Sequence, residues 1–208
     1  MDRIGRGAYQ RANSTISWQG VVVGLQKEDK GSFVVGGLSA LNLLGYAHYL
    51  PFGDEKIMIY TDSKPPSWIK GLKNSSQFLF LKRPDFKDMA TTTYNTNIKD
   101  ITITISTPER AILELLYLVE KDGVSFEFVA EIFEALTTLR PKLLNELLYL
   151  CKSIKVKRLF LYLAHYYNFD WVEYVDEKRL NLGTGKMQIV KNGIFDKTYK
   201  ITVPKDFG

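Results

Sequence analysis

The sequence has few of the residues that build disulfide frameworks and metal sites. Its 208 residues include one cysteine, Cys151, and two histidines, His48 and His165. A single cysteine excludes an internal disulfide framework and is typical of a protein in a reducing compartment. Two histidines and one cysteine do not make an ordinary zinc site. We therefore expect no metal and no cofactor, and we expect Cys151 to be a buried thiol.

Long hydrophobic runs are also missing. The stretch "AILELLYLV" at 111–119 is short and is interrupted by Glu114, whereas a membrane-spanning helix needs about 20 apolar residues. The N-terminus does not have the basic and then apolar layout of a signal peptide. These absences predict a cytoplasmic protein that has no membrane partner.

Neither sign of charge dominates the composition. The chain has 28 lysines and arginines against 23 aspartates and glutamates, which gives a formal net charge of +5. With 45% hydrophobic and 13% aromatic residues, the composition is that of a globular protein rather than a disordered one. The small positive excess allows a nucleic acid or an acidic protein as partner.

The order of predicted elements indicates an α+β fold. A helix is predicted over 18–28 with Ser17 as its N-cap, and a short helix follows a glycine pair and stops at Gly45. Stretches rich in β-branched or aromatic residues predict three strands, and composition predicts two loops between them. The strands are 56–60, 77–83 and 100–106, and the loops are 62–68 and 85–97.

A helical insertion follows this mixed sheet. Thr107 is placed as an N-cap with Pro108 at the first helical position, and this helix is expected to end at Gly123. The chain then predicts two closing strands joined by a turn at Asn192-Gly193. The further helices are predicted over 126–139, 142–151 and 154–167, and the closing strands over 186–190 and 199–203.

Two glycine-containing segments resemble nucleotide-binding motifs. "GGLSALNLLG" at 36–45 looks like the glycine pair that opens a nucleotidyltransferase site. Such a site also needs paired acids on the next strand to hold two divalent ions. The strand "KIMIYTDS" offers only Asp62, with Asp54 and Glu55 in the loop before it. "LGTGKM" at 182–187 lacks the upstream glycine and the hydroxyl residue of a phosphate-binding loop. These near-misses argue against an enzyme.

The basic residues form two candidate binding features. Steps of 100° along the predicted helix place Lys152, Lys155 and Arg158 on one face, which is either a solvated face or a docking surface for an acidic partner or phosphates. "RIGRGAYQRA" at 3–12 predicts either a cationic β-hairpin around a Gly-x-Gly turn or an unpaired basic terminus. As a hairpin, it can straddle a phosphate backbone or reach a minor groove. Its candidate DNA-binding residues are Arg3, Arg6, Arg11 and Gln10.

The chain as a whole resembles the AbiEi-type antitoxins, the antitoxin and regulator halves of type IV toxin–antitoxin (abortive infection) operons. The resemblance covers nearly the entire sequence, and the ordered run of blocks is more specific than any one of them. The blocks are "RIGRGAYQRA", "SWQGVVVGLQ", "VVGGLSALNLLGYAHYLPFG", "ISTPERAILELL", "VKRLFLYLA", "NLGTGKMQIV" and "YKITVP".

The resemblance implies both a domain division and two partners. In the family a segment like 3–12 is the wing of a winged helix-turn-helix that binds the operon's own promoter, and helices that include the recognition helix precede it. We expect residues 1–16 to be the remnant of such a wing, and DNA binding to be weak or lost in this form. We expect residues 17–208 to be an antitoxin domain that opposes a nucleotidyltransferase-like toxin, with direct contact left open. The alternatives are a diverged nucleotidyltransferase-like enzyme and a DNA-binding regulator without a toxin partner.

Overall fold

The computed structural model describes most of the chain. The described residues are 2–5, 8–10, 16–29, 32–47, 56–82, 92–98 and 100–208, with the backbone alone for the first two segments. The helices are α1 Trp18–Glu28, α2 Gly37–Leu43, α3 Pro108–Leu118, α4 Phe126–Glu134, α5 Pro141–Leu150 and α6 Ile154–Tyr166. The strands are β1 Asp2–Gly5, β2 Ala8–Gln10, β3 Val34–Val35, β4 Ile57–Thr61, β5 Phe78–Lys82, β6 Thr93–Ile98, β7 Ile101–Ser106, β8 Met187–Gln188, β9 Ile194–Asp196 and β10 Ile201–Val203. This is the predicted α+β fold.

A mixed five-stranded sheet forms the first half of the body, in the order β5-β4-β3-β7-β6. Strand β3 runs antiparallel to β4 and parallel to β7, while β4 and β5 are parallel. The central strands are buried: Val35, Ile59 and Ile105 expose 1% of their surface or less. Burial on both faces explains why these strands are almost continuously apolar.

Strand β6 is a correction to the sequence analysis, which predicts a loop over 85–97. Residues 93–98 pair antiparallel with all of β7. The side chains of Asn97 and Asn95 accept hydrogen bonds from Thr102 at 2.6 Å and Thr104 at 2.9 Å across the pair. Asparagine is depleted in strands, and these cross-strand bonds supply the stabilisation that local composition does not.

The predicted caps of α1, α2 and α3 are present. Ser17 accepts a hydrogen bond from Gly20 N at 3.3 Å, and the Thr107 hydroxyl accepts one from Arg110 N at 3.5 Å. Helix α2 ends just before Gly45, whose φ of +86° turns the chain away. Helix α3, however, ends at Leu118 and not at Gly123, which lies in a separate turn with φ +80°.

Helix α3 is the centre of the helical half. Ile112, Leu113 and Leu116 are fully buried, because α3 packs against α2 on the sheet side and against α4, α5 and α6 on the other. Its apolar side chains therefore join the sheet and the helices into one core. No helix among the described residues is both long and apolar enough to cross a membrane.

The closing strands form a second, three-stranded sheet in the order β8-β10-β9. The sequence predicts two closing strands joined through a turn at Asn192-Gly193, as in a hairpin. Instead, β8 and β10 are parallel, and β9 follows that turn and pairs antiparallel with β10. Asn192 does adopt the left-handed conformation, with φ +57°. The predicted turn is therefore present, but the strand that follows it is β9 and not β10.

Candidate functional site

The predicted N-terminal hairpin is present in the backbone. Strands β1 and β2 are antiparallel, with Arg3 opposite Tyr9 and Asp2 opposite Gln10. Of the candidate DNA-binding residues, Arg3 and Gln10 lie in these strands, and Arg6 and Arg11 lie outside the described residues. Their role in DNA binding stays a prediction.

The glycine pair that resembles a nucleotidyltransferase motif contacts a carboxylate of the chain itself. Gly37 N donates a hydrogen bond of 2.9 Å to Glu114 Oε2. Gly37 has φ +51°, a conformation that glycine adopts without steric cost. The backbone amide that a nucleotide phosphate would need is therefore already bound to Glu114.

A buried polar network holds the Glu114 carboxylate in place. Arg110 Nε donates to Glu114 Oε1 at 2.7 Å, and the Ser106 hydroxyl donates to Oε2 at 2.9 Å. Arg110 also donates to the Thr92 hydroxyl at 3.1 Å. Arg110 and Glu114 expose 2% and 0% of their side chains. A buried ion pair is stable only when the remaining polar atoms of both side chains also form hydrogen bonds, because a buried charge without partners is strongly unfavourable.

Neither member of this pair is a predicted site residue, and in the sequence Glu114 stands out only as an interruption of an apolar run. The available signal is the spacing: opposite charges at i and i+4 lie side by side on a helix. In "ERAILELL" that pair falls on a helix whose other side chains are almost all apolar. Oppositely charged residues in such a position are candidates for a buried ion pair.

Among the described residues, Glu114 is the acidic side chain that contacts the glycine pair. Asp62 is exposed at the end of β4, and Asp54 and Glu55 lie outside the described residues. Within the described part of the chain, no three histidine, cysteine or acidic side chains converge in a way that could hold a metal ion. The geometry of α2, β4 and α3 is that of a packed core with an internal ion pair.

A second buried carboxylate connects α3 to α5. Glu109 accepts two hydrogen bonds of 2.8 Å from the Arg140 guanidinium and one of 3.0 Å from Arg140 N. Burial alone would raise the pKa of Glu109, but the hydrogen bonds from Arg140 outweigh it and lower the pKa below its ordinary value. The pair fixes the start of α5 against the start of α3.

The predicted basic face is not a single exposed surface. Lys152 is exposed and Lys155 is partly exposed, but Arg158 is buried. Arg158 donates to the backbone oxygens of Leu182 at 2.6 Å and Gly185 at 2.7 Å. Arg158 is therefore not available to a docking partner. The prediction was wrong here because helical periodicity shows which residues share a face of the helix but not which other residues cover that face. A docking role for Lys152 and Lys155 stays a prediction.

Arg158 instead organises the C-terminal sheet. A third hydrogen bond, of 3.3 Å, goes to the backbone oxygen of Lys200, so one guanidinium connects α6, the segment before β8 and the residue before β10. The segment "LGTGKM" at 182–187, which resembles a phosphate-binding loop in sequence, therefore binds a side chain of the protein itself. The backbone oxygens of Leu182 and Gly185 accept hydrogen bonds from Arg158.

Two family models cover nearly the entire chain. Residues 54–204 match the model described as "Transcriptional regulator, AbiEi antitoxin, Type IV TA system", and residues 1–52 match "Transcriptional regulator, AbiEi antitoxin N-terminal domain". The chain belongs to the AbiEi antitoxin family. The resemblance seen in the sequence is confirmed, whereas the boundary placed between residues 16 and 17 stays a prediction.

The fold of this AbiEi-family chain is also seen in a solved structure. The RV2827C protein from Mycobacterium tuberculosis is similar with a TM-score of 0.60 and 12% sequence identity. The similarity covers 88% of this chain and 66% of that chain. At such low identity the likeness concerns the fold alone. No curated protein sequence matches the chain.

Proposed function

We propose that this AbiEi-family chain neutralises a nucleotidyltransferase-like toxin of a type IV toxin–antitoxin system. The observation that carries the proposal is the match to antitoxin family models along residues 1–52 and 54–204. A single cysteine in 208 residues fits an antitoxin that works in the reducing cytoplasm.

Neutralisation by this chain is proposed to be non-catalytic. The backbone amide of Gly37 donates to Glu114, and Arg110 Nε donates to the same carboxylate. Opening this site to a nucleotide would break a buried ion pair, which costs about 3–5 kcal/mol. The rigid body around α3 thus supports a binding or scaffolding role.

DNA binding by the N-terminal hairpin is proposed as a second, weaker activity. The sequence over 3–11 places Arg3, Arg6 and Arg11 within nine residues; arginines there would supply contacts to phosphates, and such contacts carry little sequence information. The match of residues 1–52 to the N-terminal domain of transcriptional regulators supports DNA as the partner. We expect affinity for the operon's own promoter with modest sequence preference.

Growth rescue tests the antitoxin function. Cells that express the toxin encoded beside this chain should resume growth when the full chain is co-expressed, and should stay arrested with an empty vector. The Asp62→Ala variant separates the proposal from the enzyme alternative, because Asp62, directly after β4, is the acid that this segment offers to a nucleotidyltransferase site. Rescue by D62A equal to that of the original chain supports non-catalytic neutralisation. Loss of rescue by a folded D62A variant would favour the enzyme.

A neutral result with the neighbouring toxin has a different meaning. If the chain does not restore growth but retards its upstream DNA in a gel shift with competitor, it is a regulator without a toxin partner. The proposal is then wrong for neutralisation and holds only for DNA binding.

A further inference from the structure

The segment that precedes β8 turns several of its carbonyls toward cations. Arg158 binds the backbone oxygens of Leu182 and Gly185 through Nε and Nη1. Lys200 Nζ donates to the backbone oxygen of Thr184 at 3.3 Å. Two positively charged side chains therefore hold three carbonyls of this short segment.

The amides of the same peptides point the other way. In a trans peptide the N–H and the C=O have opposite directions, and no described peptide bond is cis. The N–H of Gly185 thus points away from Lys200, and the N–H of Lys186 points away from Arg158. Neither amide donates a hydrogen bond within the described part of the chain. Residues 183–186, the 183–186 loop, are exposed, and a Cβ on Gly185 would meet nothing within 4 Å, so both amides are accessible.

These two amides are stronger donors than ordinary exposed ones. A cation on a carbonyl oxygen polarises its peptide, and hydrogen bonds in a chain strengthen one another. The carbonyl that shares a peptide with Gly185 N is bound by Lys200, and the carbonyl that shares one with Lys186 N is bound by Arg158. Successive backbone N–H groups in a turn are a common way to bind an anion. The 183–186 loop has this arrangement.

The charges around the loop are not balanced. All hydrogen bonds of the buried Arg158 guanidinium go to backbone oxygens, and it forms no ion pair with a described residue. Lys186 and Lys200 flank the carbonyls that it binds, and neither has an acidic partner in that part of the chain. A buried charge without a counter-charge is unfavourable. An anion on the outer side of the loop would balance this local positive excess.

We propose that the 183–186 loop binds a phosphate dianion, either free or as the end of a nucleotide. The amides of Gly185 and Lys186 donate to its oxygens, and the exposed ammonium of Lys186 adds a charge-assisted contact. Arg158 and Lys200 act from behind the loop as positioning residues and do not touch the ligand. The loop leads into strand β8 rather than a helix, so it differs from the phosphate-binding loop that its sequence resembles. The site is independent of the proposed antitoxin function.

Amide NMR titration of the full ¹⁵N-labelled chain tests the proposal. Inorganic phosphate, adenosine 5′-monophosphate and cyclic adenosine 3′,5′-monophosphate are added separately at constant ionic strength. The pH is 8, where a phosphomonoester with a second pKa of about 6 carries two charges. We expect saturable downfield shifts of the Gly185 and Lys186 amide protons with phosphate or with the monoester. The cyclic diester has one charge, as in a DNA backbone, and should bind more weakly.

The outcomes of the titration separate the two sources of phosphate. Binding of inorganic phosphate shows that the free ion is sufficient, and binding of the monoester alone shows that the loop takes a nucleotide; both support the site. No saturable shift at these two amides with either ligand overturns the proposal. Equal affinity for the cyclic diester overturns it as well, because the loop would then not select a dianion.

A pair of lysine variants excludes attraction by net charge alone. Lys186→Ala removes the ammonium but keeps the amide, and it should weaken phosphate binding by about threefold, the effect of an exposed charge pair. Lys191→Ala is the matched control, because Lys191 is exposed and lies three residues after β8. It should leave the affinity unchanged. Equal weakening by K186A and K191A, or none by K186A, overturns the proposal. Neither readout depends on toxin neutralisation.

Discussion

Glu114 occupies the space that a side chain at position 36 would need. A Cβ atom on Gly36 would lie 2.2 Å from Glu114 Oε2 and 2.7 Å from Tyr60 Cδ2. The carboxylate cannot move aside, because Gly37 N and Arg110 Nε also bind it. In this chain the first glycine of the pair is a packing requirement of the core.

The clash predicts that Gly36→Ala destabilises the protein by about 2–3 kcal/mol, as is typical of overpacking in a rigid core. Urea unfolding at pH 7 measures the loss. Gly185→Ala is the matched control, because a Cβ there meets nothing within 4 Å, and it should change stability by less than about 0.5 kcal/mol. Equal stability of the two variants would contradict this account of Gly36.

The buried ion pair predicts a large cost for removing one charge. Glu114→Gln keeps the shape but leaves Arg110 buried without a counter-charge, so we expect a loss of about 3–5 kcal/mol. Asp176→Asn is the control, because Asp176 lies 3.9 Å from Arg179 in an exposed pair that is worth less than about 1 kcal/mol. The double variant Arg110→Met/Glu114→Leu should recover part of the loss, because it removes the unpaired charge, although Gly37 N and the Ser106 hydroxyl lose their acceptor. A double variant as unstable as the sum of the singles would refute the desolvation argument.

Arg158 predicts a local loss of order in the C-terminal sheet. Arg158→Lys keeps the charge but cannot direct several N–H groups to separate carbonyls. We expect amide hydrogen exchange to accelerate by at least tenfold in β8 and β10, with little change in β4 or β7. Arg179→Lys is the control, since the side chain of Arg179 is 71% exposed. Uniform acceleration along the chain would mean that Arg158 stabilises the whole fold rather than this sheet.

The pKa of Glu109 predicts a pH-dependent role for Arg140. Because the pKa of Glu109 is lowered in the folded state, its ionised form stabilises the fold above about pH 4.5, and this contribution is lost as the pH falls through the folded-state value. Arg140→Met should cost about 2 kcal/mol at pH 7, and the deficit should shrink toward pH 3 as Glu109 is protonated. Thermal unfolding from pH 3 to 8 measures this. In the Glu109→Gln background, R140M should show no such pH dependence; a deficit that persists there would assign it to lost packing of Arg140.

The hairpin predicts a salt-dependent, sequence-independent effect on DNA binding. Replacing Arg3, Arg6 and Arg11 by alanine should weaken binding equally for all sequences, and should reduce the slope of log affinity against log salt by about 2.7 if each arginine neutralises one phosphate. The control removes the same charge elsewhere, with Lys178, Arg179 and Lys186 changed to alanine. Fluorescence anisotropy at several salt concentrations measures both slopes. A hairpin variant that loses sequence preference while keeping its salt slope would show that the hairpin is not a phosphate-binding wing.

The elements that the sequence predicts correctly are those whose signal is local. Ser17 and Thr107 mark helix starts through hydrogen bonds to residues three positions away, and Pro108 does so through its fixed φ, so the local sequence is sufficient to predict these starts. Strand β6 depends on a partner strand, because Asn95 and Asn97 become strand residues only when β7 supplies Thr104 and Thr102. For the same reason, the parallel pairing of β8 with β10 could not be predicted from either segment alone.

In the candidate site, too, the sequence shows the local features but not the contacts between distant residues. The glycine pair and the basic residues stand out in the sequence, but their partners do not. Glu114 lies 77 residues from Gly37, and the carbonyls bound by Arg158 lie 24 to 42 residues beyond it. Residue type therefore identifies the groups that matter, and only the fold shows that these charges point inward.

The carbonyl contacts of Arg158 also make helix α6 depend on residues that come after it in the chain. The acceptors belong to residues 182, 185 and 200, so a chain cut before residue 182 keeps α6 but leaves this guanidinium without any of the three. The C-terminal segment is therefore part of what allows an arginine to be buried on α6.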